Sequence, residues 1–474
     1  MGEVRAMRLD EGIAEQDRHA QAENRRKLAA RRRWTKAAAV YVLLLGFSLL
    51  FVGPMAFAML SSLKDNPVEW PPRLGSPQLS PANWAAAARL GAAGGGSWLF
   101  GQFARGAVVP FSIEYEVDEG REAETPIVRV PRRVPGAGPA AIVAEPFAAD
   151  DAVVSEVREA RRVTTDGVVR VIYEFDIKHA GSDIVYGKLP LDIEVPMYQR
   201  FVRATLEPNR IERLGRVQSW NNVTSGVIPY VFYNYHRVFR ENYSRATGRN
   251  LFAAWIRNSF MLAGIKVVTT LVVASMAGYA LARLKFAGKN ALFNLVLFSM
   301  MIPGQVTFIS NYLVLRDGIF GLTRLFGGGS LINTWTGYVV STMVGGSAVF
   351  IMKQFFEGLP TELEESARID GASVLKTYSR IMLPLAGPAL GALAILTFQG
   401  TWNEFFWPLV ILTSPPDKYT LTLGLLSFRT TYAVAFDWGP MLAGTVMSAL
   451  PIVVMFIVFQ RYFVEGISFS GIKG

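Results

Sequence analysis

The sequence predicts an all-α polytopic membrane protein that carries an inserted β-rich domain, and three observations lead there. Apolar residues make up 51% of the 474-residue chain and charged ones only 18%, more apolar than soluble domains of this size. Six stretches each hold the roughly 20 mostly apolar residues that a helix needs to cross a bilayer. Between the first and second of them lies a long region whose apolar residues instead alternate with polar ones.

Residues 1–36 form a basic tail, with Arg25 to Lys27 and Arg31 to Lys36 abutting the first apolar run. Such a flank is usually cytoplasmic, and it accounts for much of the net charge of +10 without invoking nucleic acid. The first span is expected over 37–60; its apolar stretch is too long for a secretion signal, which predicts retention. The others are expected near Trp255 to Leu281, Leu292 to Val314, Leu331 to Met352, Leu383 to Leu412 and Ala435 to Val458. With the basic tail inside, the Arg283 to Lys289 loop, the charged 357–381 loop and the chain's C-terminal end also fall inside. Arg316 and Arg324 then lie on an outward loop, against the trend.

Residues 61–251 are expected outside the membrane, with an insert at about 88–229. Phe111, Ile113, Tyr115 and Val117 alternate with Ser112, Glu114 and Glu116, and Val169, Val171, Tyr173, Phe175 and Ile177 share one face of a second run. Period-two alternation predicts two half-buried strands, and Leu189 to Val195 suggests a third. Pro131 to Ala140 reads as a loop. The 252–474 remainder is the expected membrane core.

Several chemistries are excluded. The chain has no cysteine, so it holds no disulfide, thiolate metal site or cysteine nucleophile, and His19, His179 and His236 are too scattered to propose a metal site or triad. No phosphate-binding loop is present, since Gly288-Lys289 lacks both the upstream glycine and the following hydroxyl residue, so ATP would have to be handled by another chain. No catalytic, cofactor or metal residue is proposed. Glu114, Glu116, Glu174 and Asp176 could suggest an enzyme in the insert, but they are expected opposite the apolar strand face, as a solvated surface.

The 357–381 loop is the most informative segment. Thr361 followed by Glu364 matches a capping box, Glu364 and Arg368 are spaced to pair, and Gly371 is free to take the positive φ that ends a helix. Asp370 would oppose the first helix dipole and better suits a second helix starting near Ser373. The residues alone leave two readings open, an amphipathic hairpin lying on the membrane or an element presented to a partner.

Glu365-Ser366-Ala367, three residues, Gly371, nine residues and Ile381-Met382-Leu383-Pro384 resemble the signature loop of permease subunits in binding-protein-dependent ABC importers, E-A-A, x3, G, x9, I-x-L-P. Ser366 replaces the first alanine. Ser62-Leu63-Lys64, Asn258-Ser259, Ala277 to Lys289, Trp402 to Phe405 and Trp407-Pro408-Leu409 extend the likeness to the carbohydrate-importer permeases, over 37–86 and 230–474. The chain resembles in particular the shorter membrane subunit of the maltose system, which lacks the insert.

The resemblance implies a six-helix, type I importer permease fold in the bacterial cytoplasmic membrane with both termini inside. It implies a second permease subunit, two ATP-binding subunits that hold the ATP and magnesium, and an external solute-binding protein as partners besides membrane lipid. It further implies that the loop couples to an ATPase through Glu365, Ser366, Ala367, Asp370, Gly371, Ile381 and Pro384. Polar groups at membrane depth are the candidates for a solute path: Asn258, Gln305, Asn311, Gln399, Asn403 and Glu404, with Trp402 as a stacking surface. Each has a plainer role in bonding neighbouring helices. The alternatives are a stand-alone secondary transporter or channel, against which the missing inverted repeat and the charged loop both count, and a membrane-anchored carbohydrate-active enzyme.

Overall fold

The fold was analysed in a computed structural model, which describes residues 2–64, 75–101, 103–130, 152–165, 167–179, 188–189, 191–211, 217–220, 223–224, 226–244, 247–326, 328–429, 432 and 437–468. The chain divides into two units, 1–60 and 61–474. The first consists of α1 (Gly2–Leu63), which runs a few residues into the second; its Trp34–Leu63 portion is long and apolar enough to cross a membrane. Val42, Leu45, Leu49 and Phe51 are exposed along it, as lipid contact demands.

The second unit opens with α2 (Pro81–Ala93) and continues through β1 (Val108–Val117), β2 (Ile127–Arg129), β3 (Ala152–Val154), β4 (Arg158–Thr165), β5 (Val168–His179), β6 (Lys188–Leu189), β7 (Asp192–Glu194), β8 (Gln199–Ala204), β9 (Arg210–Ile211), β10 (Val217–Ser219) and β11 (Val223–Thr224). β1 is central to a five-stranded antiparallel sheet, flanked by β5 and β8, while β3 and β4 both pair with β5. A smaller sheet runs β2-β7-β10-β9 and a third joins β11 to β6. The alternation in the sequence is therefore real: Phe111, Ile113, Tyr115, Val117, Val171, Tyr173, Phe175 and Ile177 are all buried in one core with Trp220. The third strand expected over 189–195 is broken into the short β6 and β7, and the 131–140 loop lies outside the described residues.

Two expectations about this region are corrected. The face opposite the core is not a plain solvated surface, because Arg203 closes over Glu114, which is buried, and Glu116 pairs with both Arg200 and Arg170. Cross-strand register places these opposite charges side by side, so Glu114 and Glu116 are occupied in holding strands together, while Glu174 is exposed as expected. The expected insert boundary at Ala88 falls inside α2, whose Ala86, Ala87 and Leu90 belong to the same core as the sheet. Tyr230 and Val231 of α3 (Val227–Glu241) close that core from the other side.

The helical part comprises α4 (Leu251–Arg283), α5 (Lys289–Met301), α6 (Gly304–Arg316), α7 (Trp335–Ser341), α8 (Gly346–Glu357), α9 (Glu362–Ile369), α10 (Val374–Thr377), α11 (Leu383–Leu385), α12 (Gly387–Asn403), α13 (Phe406–Ile411), α14 (Leu421–Phe428) and α15 (Trp438–Ser468). Asn250 caps α4, its side chain accepting from the Ala253 N–H. Besides α1, only α4 and the Trp438–Gln460 part of α15 are straight apolar spans among the described residues. The other three expected spans are broken pairs: α5 with α6, α7 with α8 bent by 49°, and the 374–385 segment with α12 bent by 75°. The breaks fall at Pro303-Gly304, Gly345-Gly346 and Gly387-Pro388, where proline lacks an N–H or glycine relaxes the backbone. The fifth span expected over 383–412 is itself interrupted after Asn403, and the expected start of the sixth at Ala435 lies outside the described residues. Gly278 lets α4 lie directly on α8: an added Cβ there would stand 2.6 Å from that of Met352.

Candidate functional site

The 357–381 loop folds as a helix, a turn and a second helix. Thr361 does not form the capping box; its backbone is already helical and its hydroxyl caps nothing. Glu364 also does not turn to Arg368. Its carboxylate lies 3.8 Å from the Arg283 guanidinium, and both side chains are largely buried. The sequence reading missed this long-range competitor, which offers a sheltered partner in place of a solvated one.

Gly371 has φ +73°, and the N–H groups of Gly371 and Ala372 return to the carbonyls of Arg368 and Ala367. This is the Schellman arrangement, which ends α9 abruptly and reverses the chain. Ser373 then caps α10 by accepting from the Lys376 N–H, as expected for the second helix. Pro384 has no N–H to donate, and the helix widens into a π turn over Tyr378–Met382 just before it.

Within the signature run Ala367, Thr377 and Met382 are buried, Met382 in the core shared by α4, α8 and α12. Ile381 packs beside Met382, whereas Glu365, Ser366, Asp370, Gly371 and Pro384 are exposed. The exposed tip is not simply polar: Ile369 is 86% exposed, Leu375 68% and Val374 54%. Three uncovered aliphatic side chains beside Glu362, Glu365 and Asp370 form a small apolar knob ringed by charge, the composition of a docking element.

Two ties connect that tip to the spans. Arg283, at the end of α4, donates to the Phe356 carbonyl at 2.9 and 2.6 Å and also to the Leu359 carbonyl. It thereby adds side-chain donors to carbonyls at and just beyond the C-terminal end of α8 while facing Glu364. Tyr378 is hydrogen-bonded to Ser275 of α4 at 2.8 Å, and its ring lies against Tyr279. Displacing α9 and α10 therefore pulls on α4 and α8 together.

The polar groups of the spans do not converge as the sequence suggested. Asn258 is fully buried and gives both amide hydrogens to the carbonyls of Asp417 and Tyr419, at 2.7 and 3.0 Å. Its neighbour Ser259 accepts from the Leu421 N–H, so this pair fastens α4 to the start of α14. Trp402 is no open stacking surface: it is 2% exposed, stacked on Phe398 and tilted against Phe260, with its indole N–H on the Ser448 carbonyl. Asn311, Gln399 and Asn403 are exposed, and the side chain of Gln305 lies outside the described residues.

Glu404 ends α12, and its carboxylate accepts from the Trp407 N–H to start α13. Its own carbonyl accepts from Thr422 at 2.7 Å. Lys266, half-buried at the middle of α4, is the ionisable group that sequence reasoning missed; a lone lysine in an apolar run was the available signal. Among the described residues no group of three or more His, Cys, Asp or Glu could hold a metal ion.

A scaffold of straight and broken apolar helices, with a charged helical tip wired to two of them, defines a membrane transport component rather than an enzyme. The chain belongs to the binding-protein-dependent transport system inner membrane component family, which it matches over residues 271–468. It is 41% identical over 228 residues to the arabinooligosaccharides transport system permease protein AraQ of Halalkalibacterium halodurans, covering 48% of this chain and 77% of that protein. It is 29% identical over 274 residues to the sn-glycerol-3-phosphate transport system permease protein UgpE of Yersinia pestis, covering 57% of this chain and 89% of that one. Among solved structures, a bacterial ABC transporter involved in the import of alginate aligns at 24% identity and a TM-score of 0.41, over 49% of this chain and 79% of that one. The chain is thus a permease subunit of an ABC importer and a multi-pass membrane protein. The strands lie outside the matched residues.

Proposed function

We propose that the chain carries a sugar or sugar derivative across a bacterial cytoplasmic membrane, with each bent helix pair serving as one span and six spans in all. Both termini and the 357–381 loop face the cytoplasm, following the basic 1–36 tail. The relatives' names, one for arabinooligosaccharides and one for a glycerol phosphate, support a hydroxyl-rich cargo. The partners are a second permease, two ATP-binding subunits carrying ATP and magnesium, and an external binding protein.

In this reading α9 and α10 sit in a groove of the ATP-binding subunit. The apolar knob of Ile369, Val374 and Leu375 enters the groove while Glu365 and Asp370 meet its rim; the exposed Ser366 allows close approach, the small buried Ala367 seats α9 on its own chain, and Gly371 sets the angle. Ile381 and Pro384 transmit the motion to α12. The observation that carries the proposal is the exposed knob rigidly tied, through Arg283, to both α4 and α8. Gln305, Asn311, Gln399, Asn403 and Glu404 remain the solute-path candidates, since Asn258 and Trp402 have structural duties.

The test is Glu365→Lys in the assembled transporter in vesicles. We expect uptake to fall at least about tenfold, the scale of a lost charged contact at a coupled interface, with the chain still inserted in the membrane. Unchanged uptake and unchanged coupling of ATP hydrolysis to transport overturn the assignment.

The strand-rich insert lies, on this topology, outside the membrane, and serves as a docking surface for the binding protein or a brace for the second permease. Removing it together with the whole of α2, and finding full affinity for the binding protein and full transport, would refute that role.

A further inference from the structure

Lys266 lies at the midpoint of the 33-residue α4, where a four-carbon stem cannot reach the edge of a hydrocarbon core ~30 Å thick. Its position on the helix shows what it faces. Leu262, one turn before, packs in a cluster with Tyr338 and Trp407, and Thr270, one turn after, donates to the Met343 carbonyl. Lys266 lies on the same stripe and so points towards α7 and the break between α12 and α13.

Glu404 stands at that break, its carboxylate accepting from the N–H of Trp407, whose side chain packs in the same cluster as Leu262 and Tyr338, and Lys266 feels its charge. Yet no direct ion pair joins Lys266 to a carboxylate among the described residues, and the Tyr338 hydroxyl is buried with no hydrogen-bond partner. A separated ammonium and carboxylate of opposite sign, half-exposed at membrane depth, are costly against lipid and suit a gap that admits water and solute.

We propose that Lys266 and Glu404 face one water-filled pocket at mid-membrane and form a net-neutral subsite that takes the hydroxyl groups of an uncharged carbohydrate. The ammonium offers donors, the carboxylate acceptors, and a sugar hydroxyl can donate to one while accepting from the other. A net-anionic cargo would gain from Lys266 but be repelled by Glu404. The carbohydrate part rests on the importer reading; the pocket does not.

The absence of cysteine makes the test direct. Lys266→Cys, Glu404→Cys and, as a lipid-side control, Val268→Cys are made singly in the assembled transporter, and labelling of this chain by cationic and anionic methanethiosulfonates is timed in vesicles. Val268 is 62% exposed on the apolar helix and is a fair lipid-facing reference. The thiols at 266 and 404 should react at least about tenfold faster than that at 268, since thiolate formation needs water. The retained Glu404 should make the 266 thiol favour the cationic reagent several-fold, and the retained Lys266 should reverse the preference at 404. Labelling at 266 no faster than at 268, or the same preference at both positions, overturns the pocket. Uptake of arabinotriose and sn-glycerol 3-phosphate reads the cargo class: Lys266→Met should raise the KM for arabinotriose about tenfold, and an unchanged KM or a preference for the phosphate overturns the carbohydrate assignment. Uptake independent of ATP with the labelling pattern intact would instead overturn the importer reading alone.

Discussion

Arg283 donates two hydrogen bonds to the carbonyl of Phe356, so the last residue of α4 holds the C-terminal end of α8. The same guanidinium lies 3.8 Å from Glu364 in α9, and one side chain thus joins α4 and α8 to the 357–381 loop. Charge-assisted bonds of this kind contribute about 1.5–3 kcal/mol each, and lysine cannot reproduce the planar fork. Arg283→Lys should lower uptake several-fold while ATP hydrolysis continues, and Arg283→Met should lower it further. Measuring both rates in the same vesicles checks this; equal losses in hydrolysis and uptake would point to a folding defect instead.

Arg237 of α3 is buried between Glu241 and Asp437, at 2.6 Å from each, and Tyr432 donates to Glu241. The guanidinium links α3 to the residue just before α15. Removing it leaves two sheltered carboxylates facing one another, and breaking a buried pair in this way costs about 3–5 kcal/mol. Arg237→Met should therefore lower the thermal midpoint of the detergent-purified protein markedly. Replacing Arg237, Glu241 and Asp437 together by apolar residues of similar volume should recover much of the loss, because no unpaired charge then remains.

His236 neighbours that site on α3 and responds to acid. The residue is exposed, yet partial desolvation against the protein, followed by the charge of Arg240, lowers its imidazole below the ordinary value of 6.5, with Glu241 opposing in part and surrounding water weakening the effect. A folded-state pKa below the unfolded one means the stabilising contribution is present above about 6.5 and is lost as pH falls through the lower folded value. Acidification from pH 7 to 5 should destabilise the wild type, and His236→Gln should show a smaller drop. Thermal unfolding across that range, with the two proteins compared at each pH, measures the difference.

Local pattern made the strands, the apolar runs and the two-helix loop legible in the sequence. β1 and β5 were readable because alternation is fixed by strand geometry, and the Gly371 turn because few residues tolerate positive φ. Contacts between distant segments were not readable. Glu364 turned to Arg283 rather than to Thr361 or Arg368, and Trp402 disappeared beneath Phe260 and Phe398, because tertiary neighbours decide between partners that local spacing leaves equivalent. The broken spans were half-visible: Pro303-Gly304 and Gly387-Pro388 stand where two of them bend, but Gly53-Pro54 lies within the unbroken α1, and the 49° bend between α7 and α8 falls at glycines with no proline to mark it.

Gly278 of α4 meets α8 with no room for a side chain. An added Cβ would lie 2.6 Å from the Met352 Cβ and 2.9 Å from the backbone nitrogen of Lys353, closer than real Cβ atoms approach. Neither neighbour is the yielding end of a long side chain, so the helices themselves must separate. Even Gly278→Ala should destabilise, by about 1–3 kcal/mol for an overpacked core, and Gly278→Leu should prevent accumulation of folded protein. Met352→Ala should not rescue either variant, since it keeps the Cβ and leaves the Lys353 backbone in place. Rescue by Met352→Ala, read from thermal stability and from the yield of monodisperse protein, would mean that side-chain bulk and not helix contact sets the α4–α8 spacing, and with it the geometry that Arg283 holds at the ends of the two helices.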